Sequence, residues 1–288
     1  MKDTKKILCT GSAGFICSHI VEKYEANGHK VISLDKKDSK IPFKDFYKID
    51  LSEITKDELV IFLQYHNIEV INHHAAQIDV RESIKSPAHD ANENIINTLK
   101  LLEASVEAGV KRFIFASSGG AIDGSEFPSS PYGIAKLTIE KYLKFFSRHY
   151  NIETIVLRYS NAYGPRQTDG VIPIFINKLL NNDKVYVNGG AQTRNFIYID
   201  DIAEANYQAL FCTQGLYDVS SDKSVSVNQV LSILQGLIDS KSEIVYNKYV
   251  EGEVLESNLP CSNFSFQTNL QEGLKQTISY IKRGLYEL

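Results

Sequence analysis

The chain has no tryptophan, one methionine and only four cysteines among its 288 residues. The cysteines (Cys9, Cys17, Cys212 and Cys261) have no paired spacing. Cys9 and Cys17 lie in apolar stretches, as reduced core thiols do. The cysteine pattern therefore predicts a reducing compartment.

Long apolar runs are also absent. No run approaches the ~18 apolar residues that a membrane helix requires. The amino terminus is charged and leads directly into a strand-like segment, without the apolar stretch of a signal peptide. The formal net charge of -4 provides no basic surface for nucleic acid. We expect a cytoplasmic protein with neither a membrane nor a nucleic-acid partner.

Alternating strand and helix signals run through the first half of the chain. Helical spacing follows Pro87 up to Gly109 and runs again from Pro131 to Tyr150. Short apolar runs typical of buried strands begin at Ile7, Val31, Val70, Phe113 and Thr154. This order predicts an α/β fold, a Rossmann-type doubly wound parallel sheet.

A glycine-containing turn, Thr10–Cys17, lies between the first strand and the first helix. Gly11 and Gly14 allow a tight turn and a close approach of backbone N–H groups to a diphosphate. A pair of glycines by itself is typical of ordinary turns. The flanking strand, helix and downstream acid favour a phosphate site here.

That acid is Asp35, which ends the second strand about 20 residues after the turn. Its carboxylate can accept both ribose hydroxyls of an adenosine, which favours NAD as the cofactor. Lys36 and Lys37 could partly offset the repulsion of a ribose phosphate, so NADP stays open. The alternative for the two lysines is a solvated surface pair.

After about Gly164 the alternation loosens, and the patterns predict a helix near 172–180, a strand near Val185 and a carboxy-terminal helix from Leu270. No repeat or Pro/Ser-rich linker separates the two parts. We expect residues 1–164 to form the NAD-binding Rossmann core, with a strand and a helix returning from 194–212. Residues 165–288 would mainly form a smaller carboxy-terminal substrate-binding lobe.

Tyr132 and Lys136 are four residues apart at the start of a helix, so their side chains share one face. A phenol has a pKa of about 10, and bringing it near 7 takes roughly 4 kcal/mol of phenolate stabilisation. A lysine ammonium and a positively charged nicotinamide can supply it. The simpler alternative is a packed tyrosine beside a snorkelling lysine. The preceding strand ends in Ser117 and Ser118, which would bring hydroxyls to the same cleft and favours catalysis.

The pair His73 and His74 suggests a metal site. No third ligand has a zinc-like spacing, and consecutive strand residues point to opposite faces. We therefore predict no metal, and expect the two histidines in the core or in the wall of the cofactor site.

Several ordered segments between Lys6 and Leu210 resemble one known family. They are the Gly11 turn, His73–Arg81, Asn94 with Thr98 and Leu99, Ser117–Ala121, Tyr132 with Gly133 and Lys136, Leu157–Asn161, Tyr163–Arg166 and Arg194–Asp201. With these motifs the chain resembles the extended short-chain dehydrogenases/reductases, most of all bacterial UDP-glucose 4-epimerases and related NAD-dependent sugar epimerase/dehydratases.

The resemblance implies roles for individual residues. Tyr132 would be the acid/base, and Lys136 would hold the nicotinamide ribose and tune Tyr132. The assisting hydroxyl would come from Ser118, the nearest to the usual place, or from Ser117. Asn161 and Arg194 would hold the diphosphate of the sugar nucleotide. The implied cofactor contacts are Gly11, Gly14, Phe15, Ile16, Asp35, Asp50, Leu51, His74, Ala75, Ala76, Gln77, Asn94, Ser117, Tyr132 and Lys136.

The implied function is that of an NAD-dependent nucleotide-sugar epimerase, similar to a UDP-hexose 4-epimerase, acting on a UDP-sugar through a transient keto sugar. Family members commonly form homodimers through two helices, here 87–108 and 131–150. A reductase or dehydratase of the same family is an alternative, although Ser118–Gly120 replaces the Thr-Asp-Glu triplet of the dehydratases.

A non-catalytic NAD-binding regulatory protein is a third alternative. Two departures from the family pattern motivate it. The loop 124–130 is short, and Val250 and Leu255 replace arginines that clamp phosphates in the family. Retention of Tyr132 and Lys136 argues against this alternative.

Overall fold

The computed structural model describes residues 4–122, 128–249, 255–256, 259–260, 262, 264–266 and 268–284. They fall into two compact units. The first unit comprises Met1–Tyr159 and Ile202–Asp218, and the second comprises Ser160–Asp201 and Val219–Leu288. The segment returning to the first unit is thus 202–218, where the sequence analysis expected 194–212.

The strands, numbered along the chain, are β1 Lys6–Thr10, β2 Lys30–Asp35, β3 Phe46–Lys48, β4 Val70–His73, β5 Arg112–Ser118, β6 Glu153–Tyr159, β7 Asn161–Tyr163, β8 Val185–Asn188, β9 Thr193–Tyr198, β10 Gly215–Val219, β11 Ser224–Ser226 and β12 Ile244–Asn247.

The α-helices are α1 Phe15–Ala26, α2 Lys56–His66, α3 Val80–Lys85, α4 Pro87–Ala91, α5 Asn97–Ala108, α6 Pro131–His149, α7 Val171–Leu180, α8 Ile199–Gln208, α9 Val227–Leu237 and α10 Leu270–Lys282. A π-helical turn, Asn92–Ile96, joins α4 to α5, and a 3-10 turn, Gly119–Ile122, follows β5. None of the described helices is both long and apolar enough to cross a membrane.

The first unit is built on a seven-stranded sheet with the order β10-β6-β5-β4-β1-β2-β3. From β6 to β3 every neighbouring pair is parallel. Thr10 pairs with both Leu34 of β2 and His73 of β4, so these three strands end level with one another. The chain reverses its winding direction at β1, and such a reversal opens a crevice at the carboxyl ends of the strands. The predicted Rossmann-type doubly wound fold is confirmed.

Local sequence signals explain where the helices of the first unit begin and end. Helix α2 begins with a capping box in which the Thr55 and Glu58 side chains each bond the other residue's backbone N–H. Helix α6 begins at Pro131, and the hydroxyl of the preceding residue, Ser130, caps it by accepting the Gly133 N–H. Helix α5 ends at Gly109 with a φ of 79°, a left-handed conformation that favours glycine.

The core of the first unit lies between the sheet and its helices. Apolar side chains of β1, β2, β4, β5 and β6 pack against those of α2, α5 and α6. The strands are almost continuously buried, as parallel strands covered on both faces are. A rigid sheet of this kind holds the loops at its carboxyl edge in place.

One predicted helix differs in detail. The pattern from Pro87 to Gly109 predicted an unbroken helix, and the structure divides it into α4, the π-helical turn and α5. The π turn spans only five residues, which is shorter than the window over which helical periodicity can be recognised, so the pattern did not reveal it. The structure also contains α2, which the sequence analysis did not predict.

The second unit contains a three-stranded sheet, β11-β9-β7, and a two-stranded sheet, β12-β8. Strand β9 is parallel to β7 and antiparallel to β11. Helix α9 begins with a capping box between Ser226 and Gln229. The predicted helix at 172–180, the strand near Val185 and the helix from Leu270 are confirmed as α7, β8 and α10.

Candidate active site

The turn between β1 and α1 is tightly packed against the loop after β4. Gly11 has a φ of +72°, and a Cβ atom there would lie 2.7 Å from the Ala75 nitrogen. Gly14 is the N-cap of α1, and no side chain among the described residues caps this helix end. The first backbone N–H groups of a helix attract anions. The turn, which includes Phe15 and Ile16, therefore fits a diphosphate.

Asp35 is held rigidly at the end of β2. One of its carboxylate oxygens accepts the Ala13 N–H of the glycine turn at 3.0 Å, and the other accepts the Lys37 N–H at 2.9 Å. Each carboxylate oxygen has a second lone pair that can accept a hydroxyl hydrogen. The carboxylate is thus oriented beside the turn and can still accept ribose hydroxyls.

Asp50 and Leu51 follow β3 at the same edge of the sheet. The Asp50 carboxylate accepts both the backbone N–H and the hydroxyl of Ser52 at 2.8 Å, and Leu51 is buried. The structure therefore places a fixed carboxylate and an apolar side chain where the resemblance implies the adenine.

The loop His74–Gln77 is braced by Asn94 of the π-helical turn. The Asn94 amide accepts the Gln77 N–H at 2.8 Å and donates to the Gln77 carbonyl at 2.9 Å. Buried Asp90 accepts hydrogen bonds at 2.9 Å from both Gln77 and Asn94 side chains. Asp90 has no motif of its own in the sequence, so no local pattern indicated its role.

His73 belongs to a buried hydrogen-bond chain. Its Nδ1 lies 2.7 Å from the Thr10 hydroxyl and its Nε2 lies 2.9 Å from the Thr98 hydroxyl. Thr98 donates its own hydrogen to the Asn94 carbonyl, so its oxygen accepts the hydrogen bond from His73 Nε2–H. The other ring nitrogen, Nδ1, is then unprotonated and accepts the hydrogen bond from the Thr10 hydroxyl. Burial, together with the charge of Lys136, lowers the pKa of His73 to about 3. His73 is therefore a neutral structural residue.

His74 directly follows β4 and forms a hydrogen bond to a buried tyrosine. Its Nε2 lies 3.0 Å from the Tyr159 hydroxyl, which also contacts Asn206. Burial lowers its pKa to about 3 as well. Within the described parts of the chain, no group of three or more His, Cys, Asp or Glu side chains could hold a metal ion.

The neutral state of His73 makes the stability of the protein depend on pH. The pKa of His73 falls from 6.5 in the unfolded chain to about 3 in the folded protein. Between these values the unfolded chain binds the extra proton, so the folded state loses stability as pH falls. We expect His73→Gln to reduce the slope of the unfolding free energy by roughly 1 kcal/mol per pH unit between about pH 6 and pH 5. Urea denaturation at several pH values measures this slope.

The matched control is His149→Gln at the exposed end of α6. It should leave the slope as in the wild-type protein. Equal slopes in the wild type and His73→Gln would contradict the assigned neutral state.

Tyr132 and Lys136 project from the first turns of α6 and meet residues of β5. The Lys136 ammonium donates to the Ala116 carbonyl at 2.8 Å and lies 5.6 Å from the centre of the Tyr132 ring. The Tyr132 side chain is hydrogen-bonded to Ser118. The structure therefore brings together the three side chains that the sequence analysis named as catalytic.

Burial governs the charge of both groups. It raises the pKa of Tyr132 to about 12, against the opposing effect of the Ser118 hydrogen bond, and the charge of Asp90 raises it further. Burial also lowers the pKa of Lys136 to about 8, against the opposing charges of Asp90 and Glu140. The protein's own groups thus keep the phenol neutral at pH 7.

The two serines at the end of β5 have different partners. The Ser117 hydroxyl is buried and donates to Glu140 at 2.6 Å, whereas Ser118 bonds to Tyr132. Glu140 also accepts Arg158 Nε at 2.8 Å, and it lies two helical turns after Tyr132 on the same helix. Its spacing of four residues from Lys136 was a signal that the sequence analysis did not use.

Exchange of each serine for alanine should separate their roles. The Ser118 hydrogen bond lowers the pKa of Tyr132, so Ser118→Ala should shift the acid limb of the pH–rate profile upward by roughly half to one pH unit. Ser117→Ala should leave the profile in place and destabilise the fold by about 1 kcal/mol. Rate profiles and thermal unfolding of both variants measure this. A shift in Ser117→Ala alone would assign the assisting hydroxyl to Ser117.

Asn161 and Arg194 lie in the second unit. Asn161 begins β7 and is exposed, and Arg194 lies on the neighbouring strand β9. Arg194 donates to the Thr193 carbonyl at 2.8 Å. Of the departures noted in the sequence, positions 124–127 and Val250 lie outside the described residues, and Leu255 is exposed.

Comparison with known proteins places the chain in a family. The model of the NAD dependent epimerase/dehydratase family matches residues 7–214. A protein of Methanocaldococcus jannaschii, with the provisional name of a UDP-glucose 4-epimerase, is 37% identical over 96% of this chain and 99% of its own length.

Two solved structures are also similar. A UDP-glucose 4-epimerase of Thermotoga maritima, solved with UDP-glucose, is 36% identical with a TM-score of 0.92, covering 97% of this chain and 99% of that one. A UDP-glucose 4-epimerase of Thermus thermophilus, solved with NAD, is 30% identical with a TM-score of 0.85, covering 96% of this chain and 99% of that one. The predicted family resemblance and the predicted cofactor, NAD, are confirmed. The chain belongs to the NAD-dependent epimerase/dehydratase family.

Proposed function

We propose that the protein interconverts UDP-hexoses by inverting C4, with NAD as its resident cofactor and Tyr132 as the acid/base. The observation that carries this proposal is the hydrogen-bonded pair Tyr132 and Ser118 with the Lys136 ammonium beside the ring. These groups lie at the sheet edge that also holds the Gly11 turn. The similarity to UDP-glucose 4-epimerases supports the substrate class.

The residues of the first unit fit NAD. The Gly11 turn leaves no space for a side chain, and the backbone N–H groups at the start of α1, where the N-cap Gly14 has no side chain, would bind a diphosphate. Asp35 would accept the adenosine ribose hydroxyls, and Asp50 and Leu51 would border the adenine. His74, Ala75, Ala76, Gln77 and Ser117 would line the remaining length of the cofactor, braced by Asn94.

Bound there, NAD supplies reversible acceptance of a hydride from the sugar carbon. Tyr132 accepts the proton of the sugar hydroxyl, and the sugar becomes a transient ketone. Tyr132 later returns the proton to the ketone oxygen. Ser118 orients the phenol, and Lys136 holds the nicotinamide ribose and keeps a positive charge near the phenolate.

Lowering the pKa of Tyr132 from about 12 to near 7 takes roughly 7 kcal/mol of phenolate stabilisation. The positive charge of the oxidised nicotinamide ring and the Lys136 ammonium would both contribute to it. This requirement couples proton removal to the oxidised state of the cofactor. It favours an enzyme that oxidises and re-reduces its substrate at one site.

In the second unit, Asn161 and Arg194 would hold the diphosphate of the sugar nucleotide. An arginine guanidinium suits phosphate because its N–H groups form a planar fork.

We further propose that the enzyme is a cytoplasmic homodimer. Apolar side chains on the outer faces of the helices between 80 and 150 are exposed: Ile84, Ile96, Ile134, Tyr142 and Phe145. Because α6 packs against α3 and against the π-helical turn, exposed apolar side chains on these elements support a two-fold interface. The buried free thiols of Cys9 and Cys17 support a reducing compartment. Light scattering of the purified protein tests the dimer.

The experiment that tests the activity begins with purified protein and its bound nucleotide. The protein is incubated with UDP-glucose, UDP-galactose and UDP-N-acetylglucosamine, and the products are separated by chromatography. The 4-epimer without net NADH supports the proposal. Stoichiometric cofactor consumption would indicate a reductase, loss of water a dehydratase, and bound NAD without turnover a regulatory protein.

A further inference from the structure

Lys36 lies directly after Asp35, at the end of β2. A lysine at this position is available to bind a phosphate on the adenosine ribose, which would favour NADP. In the structure its ammonium instead donates to the Glu93 carboxylate at 2.8 Å. The Lys36 side chain is 47% exposed and that of Glu93 is 13% exposed. Glu93 thus presents a well-shielded carboxylate to a half-exposed lysine.

Three carboxylates act on the Lys36 ammonium. The hydrogen bond to Glu93 raises the pKa of Lys36, and the charges of Asp50 and Asp35 raise it further. Of the other lysines in this region, Lys100 faces Asp50, and Lys37 is exposed beside Asp35. The three ammonium groups match the three carboxylates in number, so the region has no net positive charge. Glu93 offsets the charge of Lys36, which weakens the attraction of this lysine for a phosphate dianion.

The backbone places Glu93 in this position through the π-helical turn. Glu93 and Asn94 are consecutive, yet Glu93 binds Lys36 directly after β2 while Asn94 binds Gln77 of the loop after β4. Single π turns inside helices frequently lie at functional sites. The turn therefore serves two parts of the candidate cofactor site at once.

We propose that Glu93 is a specificity-determining residue that makes the enzyme select NAD over NADP. Its carboxylate binds the Lys36 ammonium, so Lys36 does not act as a phosphate ligand. Glu93 also adds a negative charge of its own. This inference rests on the proposed placement of the adenosine ribose at Asp35.

The test compares Glu93→Gln with a matched control, Glu107→Gln. Glu107 forms an ion pair of the same length, 2.8 Å, with Lys56 on the surface. Each protein is dialysed to equilibrium against a mixture of NAD and NADP, once starting from the NAD-loaded and once from the NADP-loaded protein. NADP is in a roughly hundred-fold excess, which is on the order of the selectivity expected from charge. Bound nucleotides are released with acid and separated by chromatography.

We expect Glu93→Gln to raise the bound NADP:NAD ratio about tenfold, the change produced by one unit of charge near a phosphate at a protein surface. Glu107→Gln should keep the wild-type ratio. Adding Lys36→Gln to Glu93→Gln should bring the ratio back to within about threefold of the wild type, because the released lysine is then absent.

An unchanged ratio in Glu93→Gln, with NAD bound normally, would overturn the role of Glu93 and leave the cofactor site standing. An equal rise in Glu107→Gln would also overturn it, since the effect would then be one of general surface charge. If the wild-type protein retains neither nucleotide, the proposed cofactor site itself fails, and this inference fails with it.

Discussion

Replacing Tyr132 by phenylalanine is expected to lower kcat about a thousand-fold, because the variant has no group to accept the sugar proton. The ring stays in place, since only the hydroxyl and its bond to Ser118 are lost. The folded protein should therefore lose no more than about 1 kcal/mol of unfolding free energy. Bound NAD should remain at the wild-type level, because Lys136 is unchanged.

Initial rates of UDP-galactose conversion measure the effect, together with the nucleotide content of the purified variant. The matched control is Tyr65→Phe, a tyrosine of α2 that is 79% exposed to solvent. It should turn over at the wild-type rate. Retention of more than about a tenth of the wild-type kcat in Tyr132→Phe would show that another group transfers the proton.

Replacing Glu140 by alanine is expected to destabilise the folded protein by about 3 kcal/mol. Glu140 is 6% exposed and accepts hydrogen bonds from Ser117 and from the guanidinium of Arg158. The Arg158 side chain is itself only 13% exposed, so the variant leaves a buried charge without its main partner. Asp218 also faces Arg158 and retains part of the compensation. For this reason the expected loss is at the lower end of the range of about 3–5 kcal/mol that is typical when one partner of a buried ion pair is removed.

Urea unfolding followed by circular dichroism measures the loss. Glu107→Ala removes a carboxylate from an exposed ion pair and should change stability little. Glu140→Gln should fall between the two, because its amide can still accept the Ser117 hydrogen. If Glu140→Ala were as stable as Glu107→Ala, the pair with Arg158 would contribute nothing net to the fold.

Glu140 also connects stability to the site. Glu140 lies on α6 and Asp90 on α4. The charges of both raise the pKa of Lys136 and so oppose the effect of burial, which lowers it. Both acids are therefore part of the electrostatic surroundings that keep an ammonium inside the protein.

Features carried by short stretches of chain could be predicted from the sequence. The glycine turn, the acid that ends β2 and the pair Tyr132 and Lys136 depend on strand and helix periodicities, which span only a few residues. The parallel sheet followed from the alternation of strands and helices, because right-handed crossovers permit few other arrangements. These features also sufficed to indicate the family and NAD.

Contacts between distant segments could not be predicted in this way. Lys36 and Glu93 are 57 residues apart, and Ser117 and Glu140 are 23 residues apart. Whether Ser117 or Ser118 faces Tyr132 depends on how β5 ends against α6, which no local pattern encodes. The sequence by itself thus determined the fold class, the family and the two central catalytic candidates, since these follow from local periodicity and spacing. Only the tertiary structure decided the partners of each serine, lysine and buried acid, since packing and strand order bring such groups together.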